Sequence, residues 1–321
     1  MRDGAAAADI RVLILAGGMS YEHEVSLKSG RRAADALQRL GYACEVRDLD
    51  GELLPALQEF PPDVVLPLVH GSPGEDGSLQ AVLELSDIPI VGTGSIGARR
   101  AWNKITAKDL LRSAGIPTPD WTSMPRQAFS DFGARKLLDR IAAKMGLPLV
   151  VKPNQGGSGL GVHAVHKEDD FPSAMMGCFS YSDEALIESF VEGRDIAVGV
   201  VDLGDGPTAL PPVEIAPLHG DYDYAARYNP GATRWTVPAK LDEAAAARAA
   251  ALAVEVHRTL GLGDMSRVDL IVDDAGEIQV LEANVAPGTT ETSLLPMAIE
   301  AAGLDFGEVL ATLVRRAKAR A

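Results

Sequence analysis

The sequence predicts an α/β fold, which is α+β when the whole chain is considered. Its first domain is predicted to be a parallel α/β domain. Roughly the first hundred residues repeat an apolar strand, a glycine turn and a helix, which is typical of a parallel sheet. From about Asn103 the pattern changes to strands joined by short turns and followed by a long helix. With 321 residues and 46% hydrophobic content, the chain is long enough for two or three domains with buried cores.

The first part of the chain, residues 1–102, is expected to form the parallel domain. A strand, "IRVLILAGG", is followed by a helix, "EVSLKSGRRAADALQRLGY", that ends at Gly41. Three more strands are predicted from "CEVRDLD", "PDVVLPLV" and "IPIVGTG". Ligands bind at the carboxyl ends of parallel strands, so the glycine pair after the first strand and His70 after the third mark the functional edge.

The remainder is expected to form two further domains, residues 103–185 and 186–321. It begins with a helix that ends at Gly115, then two strands joined by a glycine-rich turn in "LPLVVKPNQGGSGLGVHAV", then strands in "ALIESF" and "DIAVGVV". A tyrosine-rich segment, "GDYDYAARYNPGATRWTVPAK", precedes an alanine-rich helix over about residues 242–260. Two closing strands, "SRVDLIVDD" and "EIQVLEANV", and a terminal helix complete the order.

The charge balance excludes one class of partners. With 45 acidic and 30 basic side chains and a formal charge of −15, most of the surface would repel a phosphate backbone, so no nucleic-acid partner is expected. No apolar stretch approaches the roughly 20 residues of a membrane helix, and no signal-peptide pattern is present, so no membrane partner is expected. Cys44 and Cys178 are expected to be free thiols in a reducing compartment, which predicts a cytoplasmic location.

Near the C-terminus, a strand that looks buried ends in two oxygen-bearing side chains. In "VLEANVAPGTTETSL", period-two alternation predicts Glu282 and Asn284 on one face. The same alternation predicts Leu281, Ala283 and Val285 on the other face. Two hard oxygen ligands on one face suit a magnesium ion. A solvated strand end is the alternative.

The preceding strand, "SRVDLIVDD", carries Arg267 and Asp269 on one face. If the two closing strands pair, three oxygen ligands and one guanidinium meet in a small volume, as a magnesium–triphosphate site requires. A structural salt bridge between Arg267 and one of the carboxylates is the alternative, but it does not explain Asn284.

A glycine-rich segment, "VVKPNQGGSGLGV", carries Lys152 at a strand end and Ser158 among four glycines. Glycines let backbone N–H groups approach phosphate oxygens and a lysine supplies positive charge, so the segment suits a triphosphate. It is neither a Walker loop nor a dinucleotide fingerprint, because neither spacing fits. A plain hairpin turn is the alternative.

Polar groups also follow the first and third strands. Glu22 stands at a helix start, where it serves either a substrate or, as we expect for Glu24, only the helix dipole. His70 ends its strand before a turn with Glu75 and Asp76. A lone histidine in that place is more often a surface or capping residue than a catalyst.

Taken in order, these motifs resemble those of the D-alanine:D-alanine ligases of the ATP-grasp superfamily. The resemblance runs over about residues 11–316, and several motifs in the correct order are more specific than any single one. It rests on "GGMSYEHEVSL", "HGSPGEDGSLQ", "VVKPNQGGSGLG", "DYDYAARY", "RVDL" and "LEANVAPGTTETSL". It implies an ATP-grasp fold behind an N-terminal parallel (pre-ATP-grasp) domain.

The resemblance also implies which residues bind the nucleotide and the metal. The implied ATP contacts are Lys104, Lys152, Glu188, Phe190, Val191 and Asp195. The two acidic residues of this set would face the ribose, and Phe190 and Val191 would lie beside the purine. Two Mg²⁺ ions, for which Mn²⁺ is an accepted substitute, would be held by Asp269, Glu282 and Asn284.

For the amino-acid substrates, the resemblance implies two subsites. The implied residues at the first are Glu22, Ser158 and Tyr228, which hold the amino acid and close the loop, and His70, which lies near its carboxylate. Arg267 and the Gly288 N–H would stabilise an oxyanion, and Ser293 and Leu294 would contact the second carboxylate. ATP would convert one D-alanine to an acyl phosphate, which the amine of a second D-alanine attacks. The enzyme would be a homodimer serving peptidoglycan synthesis for the cell wall.

The chain departs from the family pattern near ATP and the second substrate. The chain has Trp102 and Asn103 before Lys104, where the family usually has Met-Asp. It also has Gly159 in place of serine, Asp195 in place of glutamate, Arg227 in place of lysine and Thr289 in place of methionine. ATP-dependent ligation is therefore better supported than alanine specificity. The alternatives are a related ligase that joins other amino acids in specialised metabolism or self-resistance and, less favoured, a non-catalytic nucleotide-binding regulator.

Overall fold

The computed structural model describes residues 9–218, 227 and 231–320, and the strands within these ranges form three sheets. No helix in the described ranges is long and apolar enough to cross a membrane. The sheets belong to an N-terminal lobe, a central lobe and a C-terminal lobe, described in turn.

The N-terminal sheet is parallel, as predicted, with the strand order β2-β1-β3. Its strands are β1 (Arg11–Ala16), β2 (Ala43–Asp48) and β3 (Val64–Pro67). The first helices of the chain are α1 (His23–Arg39), α2 (Leu53–Glu59), α3 (Ser78–Leu85), α4 (Ser95–Trp102) and α5 (Lys104–Ser113).

The strand predicted at "IPIVGTG" is reduced to a single bridge, in which Ile90 pairs in parallel with Val65. Val65 donates to the Pro89 carbonyl and Val91 donates to the Val65 carbonyl, both at 2.9 Å. Pro89 has no N–H to extend the ladder, and the glycines that follow turn the chain away. The prediction of a full strand was therefore wrong.

The central lobe is an antiparallel sheet with the order β4-β7-β5-β6, covered by helices. Its strands are β4 (Trp121–Pro125), β5 (Leu149–Pro153), β6 (His163–Val165) and β7 (Glu184–Ser189). Its helices are α6 (Arg126–Phe132), α7 (Ala134–Met145) and α8 (Phe171–Phe179). Leu149, Val151 and Ile187 are fully buried in a core of this lobe. The glycine-rich turn joins β5 to β6, as predicted.

The C-terminal lobe holds the largest sheet, with the order β11-β10-β8-β12-β13 and with β9 paired to β8. Its strands are β8 (Arg194–Asp202), β9 (Pro207–Ala209), β10 (Val213–Pro217), β11 (Thr233–Thr236), β12 (Met265–Val272) and β13 (Ile278–Asn284). Its helices are α9 (Glu243–Leu260), α10 (Leu294–Ala301) and α11 (Phe306–Ala319). The alanine-rich helix begins as predicted, because the Asp242 side chain accepts a hydrogen bond from Ala245 N at 2.7 Å.

Strand β8 separates two hydrophobic cores. Ile196 and Val198 pack in one core with residues of α5 and α9. Ala197, between them, points to the opposite face and joins a core that contains residues of β1, β3, α10 and α11. The N-terminal and C-terminal lobes therefore share a core.

The division into residues 1–102, 103–185 and 186–321 stays a prediction, and the packing bears on it in two places. Helix α5, assigned to the central domain, contributes Ala107 and Leu111 to the core of the C-terminal lobe. The boundary after residue 185 falls inside β7, which pairs with β5 through Ser189. By its packing, the central lobe spans residues 121–189.

Candidate active site

A cleft between the central sheet and the C-terminal sheet encloses about 380 Å³. Apolar side chains such as Val150, Leu160 and Ile215 line much of its wall. The residues that sequence analysis assigned to the nucleotide all line it as well: Lys104, Lys152, Glu188, Phe190, Val191 and Asp195. An apolar cleft with a few convergent charges suits a purine with attached phosphates.

Glu188 lies on the floor of this nucleotide cleft and is 2% exposed. Its Oε2 lies 2.6 Å from Lys152 Nζ, and its Oε1 lies 2.5 Å from Lys108 Nζ. Burial alone would raise the pKa of Glu188, but the two ammonium groups outweigh burial and lower it, so the carboxylate is ionised. Both oxygens are engaged by lysines, and the assignment of Glu188 to a ribose stays a prediction.

Sequence analysis missed Lys108, although a signal was present. Lys108 follows Lys104 by four residues, and Ala107 and Leu111 lie on the same buried face of α5. This i, i+3, i+4, i+7 spacing marks a core-facing stripe, in which a lysine requires a buried partner.

The two closing strands pair antiparallel, as predicted. Arg267 lies opposite Asn284, and Asp269 lies opposite Glu282. Arg267 Nε donates to Asp269 Oδ1 at 2.7 Å, and Nη2 donates to Oδ2 at 2.9 Å. The salt bridge considered as an alternative is therefore present, and it holds the guanidinium beside the predicted metal ligands.

The predicted alternation fails at Leu281. The register passes from the Asp269–Glu282 pair directly to the Leu270–Val280 pair, so Leu281 is an extra residue at a β-bulge. Leu281 consequently lines the nucleotide cleft together with Glu282 instead of pointing away from it. The prediction for Leu281 was wrong because strict period-two alternation stops at a bulge.

Glu282 is held ionised by the charges around it. Its Oε2 lies 3.2 Å from Lys104 Nζ. Burial would raise the pKa of Glu282, but Lys104 and Lys152, with Arg227 and Arg267 behind them, lower it to about 2. A carboxylate that is ionised near neutral pH thus lines the nucleotide cleft among cations.

The donor set on these strands fits magnesium. Within the described ranges, no three His, Cys, Asp or Glu side chains form a group that could hold a metal ion. The predicted set instead combines Asp269 and Glu282 with the amide oxygen of Asn284. That oxygen accepts from Ala286 N at 2.9 Å and keeps a second lone pair. Magnesium typically takes one or two carboxylates and completes its shell with phosphate oxygens and water.

Glu22 and Ser158 join the N-terminal lobe to the glycine-rich turn, because the Ser158 hydroxyl donates to Glu22 Oε1. Ser158 has a φ of 56°, a left-handed conformation that is uncommon for non-glycine residues and is enriched at functional sites. Lys104 Nζ fixes the same turn by donating to the Gly156 carbonyl at 2.8 Å. Tyr228, the third member of the predicted trio, lies outside the described residues.

A smaller cavity of about 100 Å³ adjoins the nucleotide cleft, and the two share Lys104, Arg227 and Glu282 in their walls. The described residues predicted for catalysis and substrate binding all line it: Glu22, His70, Ser158, Arg267, Gly288, Ser293 and Leu294. The structure therefore brings these residues together around one small polar space, which we call the substrate cavity.

Two titratable groups in the substrate cavity are neutral near pH 7. Burial lowers the pKa of His70, which is 4% exposed and lies 3.2 Å from Ser29 Oγ through Nε2. Burial, followed by the charge of Glu22, raises the pKa of Glu75 to about 8. His70 is therefore buried, unlike most lone histidines at a strand end. With both groups neutral, the Glu22 carboxylate is placed to bind an ammonium group.

The turn after β13 builds the other wall of the substrate cavity. Thr290 N donates to Ser293 Oγ at 3.0 Å, and Arg32 Nη1 donates to the Thr290 carbonyl at 2.5 Å. A Cβ added to Gly288 would lie 2.7 Å from Ser293 Oγ, so a larger residue here would displace the Ser293 hydroxyl. Helix α10 begins at Leu294, and its N-terminal N–H groups favour a carboxylate.

Comparison with known proteins agrees with this geometry. The family described as "D-ala D-ala ligase C-terminus" matches residues 110–315. The chain is 38% identical over 306 residues to the D-alanine–D-alanine ligase of Moorella thermoacetica, covering 95% of this chain and 98% of that protein. It is also 38% identical over 305 residues to the enzyme of the same name from Nitrosomonas europaea, covering 95% and 96% of the two chains.

Solved structures show the same likeness over nearly the whole chain. The D-alanine–D-alanine ligase of Bacillus anthracis complexed with ATP has a TM-score of 0.79 at 28% identity, covering 97% of this chain and 98% of that one. The VanG D-Ala:D-Ser ligase of Enterococcus faecalis has a TM-score of 0.81 at 25% identity, covering 96% and 99%. The fold, the family match and these full-length relatives together show that the chain belongs to the D-alanine–D-alanine ligase family, with an ATP-grasp fold.

Proposed function

We propose that the protein is an ATP-dependent ligase that joins two molecules of D-alanine through an acyl phosphate. One observation carries the proposal: Arg267, Asp269, Glu282 and Asn284 face one another on paired strands between a nucleotide-sized cleft and a small polar cavity. Full-length relatives named D-alanine–D-alanine ligase, and one described with ATP, support it.

In the first step, a carboxylate oxygen of the first D-alanine attacks the γ-phosphorus of ATP. The bond from that phosphorus to the β–γ bridging oxygen breaks, and ADP leaves. Lys104 and Lys152, which line the nucleotide cleft, stabilise negative charge on the phosphates. Glu22, in the substrate cavity, binds the ammonium group and so orients the carboxylate toward the cleft.

In the second step, the deprotonated amine of the second D-alanine attacks the acyl carbon. The tetrahedral oxyanion accepts hydrogen bonds from Arg267 and from the Gly288 N–H. Its collapse breaks the carbon–oxygen bond to phosphate, and the dipeptide forms with release of phosphate and one proton. Ser293 and the start of α10 bind the carboxylate of the second D-alanine.

Asp269, Glu282 and Asn284 would hold magnesium, whose charge polarises the phosphoryl oxygens. Glu282 is ready for this role at any pH near neutrality, because its pKa is about 2. Arg267 keeps Asp269 in place through two hydrogen bonds, at 2.7 and 2.9 Å.

A screen of D- and L-amino acids, singly and in pairs, with ATP and Mg²⁺ tests the proposal. D-Alanine should elicit phosphate release, and mass spectrometry should identify D-alanyl-D-alanine. Phosphate release only with another pair would favour a specialised ligase, a reading supported by the VanG relative, which is named for D-serine. No amino-acid-dependent phosphate release would favour a regulator.

The cellular setting follows from the same proposal. The enzyme would work in the cytoplasm and supply the dipeptide for peptidoglycan. It would act as a homodimer, which analytical ultracentrifugation at several protein concentrations tests directly.

A further inference from the structure

Behind the floor of the nucleotide cleft lies a buried cation with no part in the mechanism above. Lys108 is 1% exposed, and it is not among the described residues that line the cleft. Its direct partner, Glu188, does line the cleft. Lys108 therefore has no route to a bound ligand except through another side chain.

Two lysines share one carboxylate at this point. Lys108 Nζ lies 2.5 Å from one carboxylate oxygen of Glu188, and Lys152 Nζ lies 2.6 Å from the other. The exposed fraction of the side chain is 2% for Lys108, 8% for Lys152 and 3% for Glu188. The floor therefore carries two positive charges and one negative charge. Because water screens buried charges poorly, the surplus positive charge acts strongly on a ligand in the cleft.

The position of Lys108 is fixed from the opposite side. Its ammonium group also donates to Thr118 Oγ1, and that hydroxyl donates to the Val280 carbonyl at 2.8 Å. Val280 lies on β13, next to the bulged Leu281. Lys108 thus connects the central lobe, through Glu188, to the strand that carries Glu282.

The ammonium group of Lys108 is charged near neutral pH. Burial lowers its pKa to about 8, and the nearby Lys152 and Arg112 act in the same direction, while Glu188 opposes them. Without Lys108, Glu188 and Lys152 would form a neutral pair.

We propose that Lys108 is a positioning residue for nucleotide binding, which holds Glu188 on the cleft floor and offsets its charge so that the positive charge of Lys152 can bind phosphate. The inference rests on the proposed function in taking the ligand to be an adenine nucleotide. Lys108 should therefore affect the affinity for the phosphate groups of the nucleotide and have little effect on the affinity for the nucleoside.

The test measures the affinities for ADP and for adenosine by calorimetry in the full-length protein. Lys108→Met should weaken ADP binding about tenfold or more, as expected for loss of one charge-assisted interaction. Adenosine affinity should change by less than about twofold, because the nucleoside carries no charge for the floor to attract. Lys144→Met, an exposed change on α7 of the central lobe, is the matched control and should alter neither affinity.

A second variant gives a sharper result. Glu188→Gln added to Lys108→Met removes the negative charge that neutralises Lys152, so it should restore most of the lost preference for ADP over adenosine. In the Glu188→Gln background, Lys108→Met should change ADP affinity by less than about twofold. This comparison also serves if Lys108→Met alone does not fold.

Three results would overturn the inference. They are an unchanged ADP affinity in Lys108→Met, an equal loss for ADP and adenosine, and an undiminished loss in the Glu188→Gln background. The second would indicate a purely structural lysine, and the third a direct contact with the ligand. Failure of the premise that the ligand is an adenine nucleotide looks different, because the wild-type protein itself would then not bind ADP, and failure of the ligase reaction appears only in the amino-acid screen.

Discussion

Replacing Glu282 with Gln tests the metal assignment most directly. The change keeps the shape of the side chain and removes one charge from a site that also contains Lys104, 3.2 Å away. If Glu282 holds magnesium, the turnover number should fall by about 10²-fold or more, in line with the loss of charge stabilisation at a phosphoryl-transfer site. Glu277→Gln, an exposed change just before β13, is the matched control and should leave turnover unchanged.

The lowered pKa of Glu282 also sets how much the ionised side chain contributes to folding stability, and over which pH range. A pKa that drops from 4.5 to about 2 on folding corresponds to about 3 kcal/mol of stability at neutral pH. The side chain is 26% exposed, so this value is an upper bound. The contribution is present above pH 4.5 and is lost as the pH falls toward 2, so wild type and Glu282→Gln should converge in stability over that window.

Nucleotide affinity separates a metal ligand from a purely electrostatic group. Without Mg²⁺, Glu282→Gln should bind ADP at least as well as wild type, because the variant removes a negative charge beside Lys104. With Mg²⁺, it should bind ADP more weakly than wild type. A variant that loses ADP affinity equally in both conditions, or that keeps normal turnover at limiting Mg²⁺, would refute the metal assignment.

Three further substitutions test the substrate cavity. Because the folded-state pKa of Glu75 is raised from 4.5 to about 8, wild-type stability should fall as the pH rises between those values, and Glu75→Gln should show a flatter profile in denaturant titrations. Gly288→Ala would place a methyl group 2.7 Å from Ser293 Oγ, so it should raise the KM of the second amino acid about tenfold or more. An unchanged KM would show that Ser293 and Gly288 do not form the binding site of that amino acid. Ser293→Ala should weaken use of the second amino acid more than the first, because losing a hydrogen bond to a carboxylate costs about 1.5 to 3 kcal/mol; equal effects on both would place the hydroxyl elsewhere.

Much of the site could be predicted because strand periodicity sets both spacing and direction. Arg267 and Asp269 on one closing strand, and Glu282 and Asn284 on the next, needed only antiparallel pairing to meet. The bulge at Leu281 could not be predicted in the same way, since nothing in the local sequence distinguishes an extra residue from a regular one.

Other features depend on tertiary contacts. Helical spacing could indicate that Lys108 is buried, but it could not identify the partner, because Glu188 lies eighty positions later in the chain. The alternation in the N-terminal part predicted its parallel sheet, whereas helices α6, α7 and α8 lie between short strands and were not predicted. The neutral state of Glu75 likewise depends on burial and on Glu22, which arrives from another strand end.

The separate core of the central lobe has a consequence for how nucleotides enter and leave. The hydrophobic clusters of the described residues fall into sets that either lie wholly within the central lobe or exclude it. A rotation of that lobe about the chain segments beside residues 120 and 190 would therefore split none of these clusters. Two contacts join the central lobe to the N-terminal lobe: the hydrogen bond from Ser158 to Glu22 and the edge-to-face contact of Tyr21 with Tyr181, whose ring centroids lie 6.1 Å apart. Both contacts would break and form again each time such a rotation admitted a nucleotide.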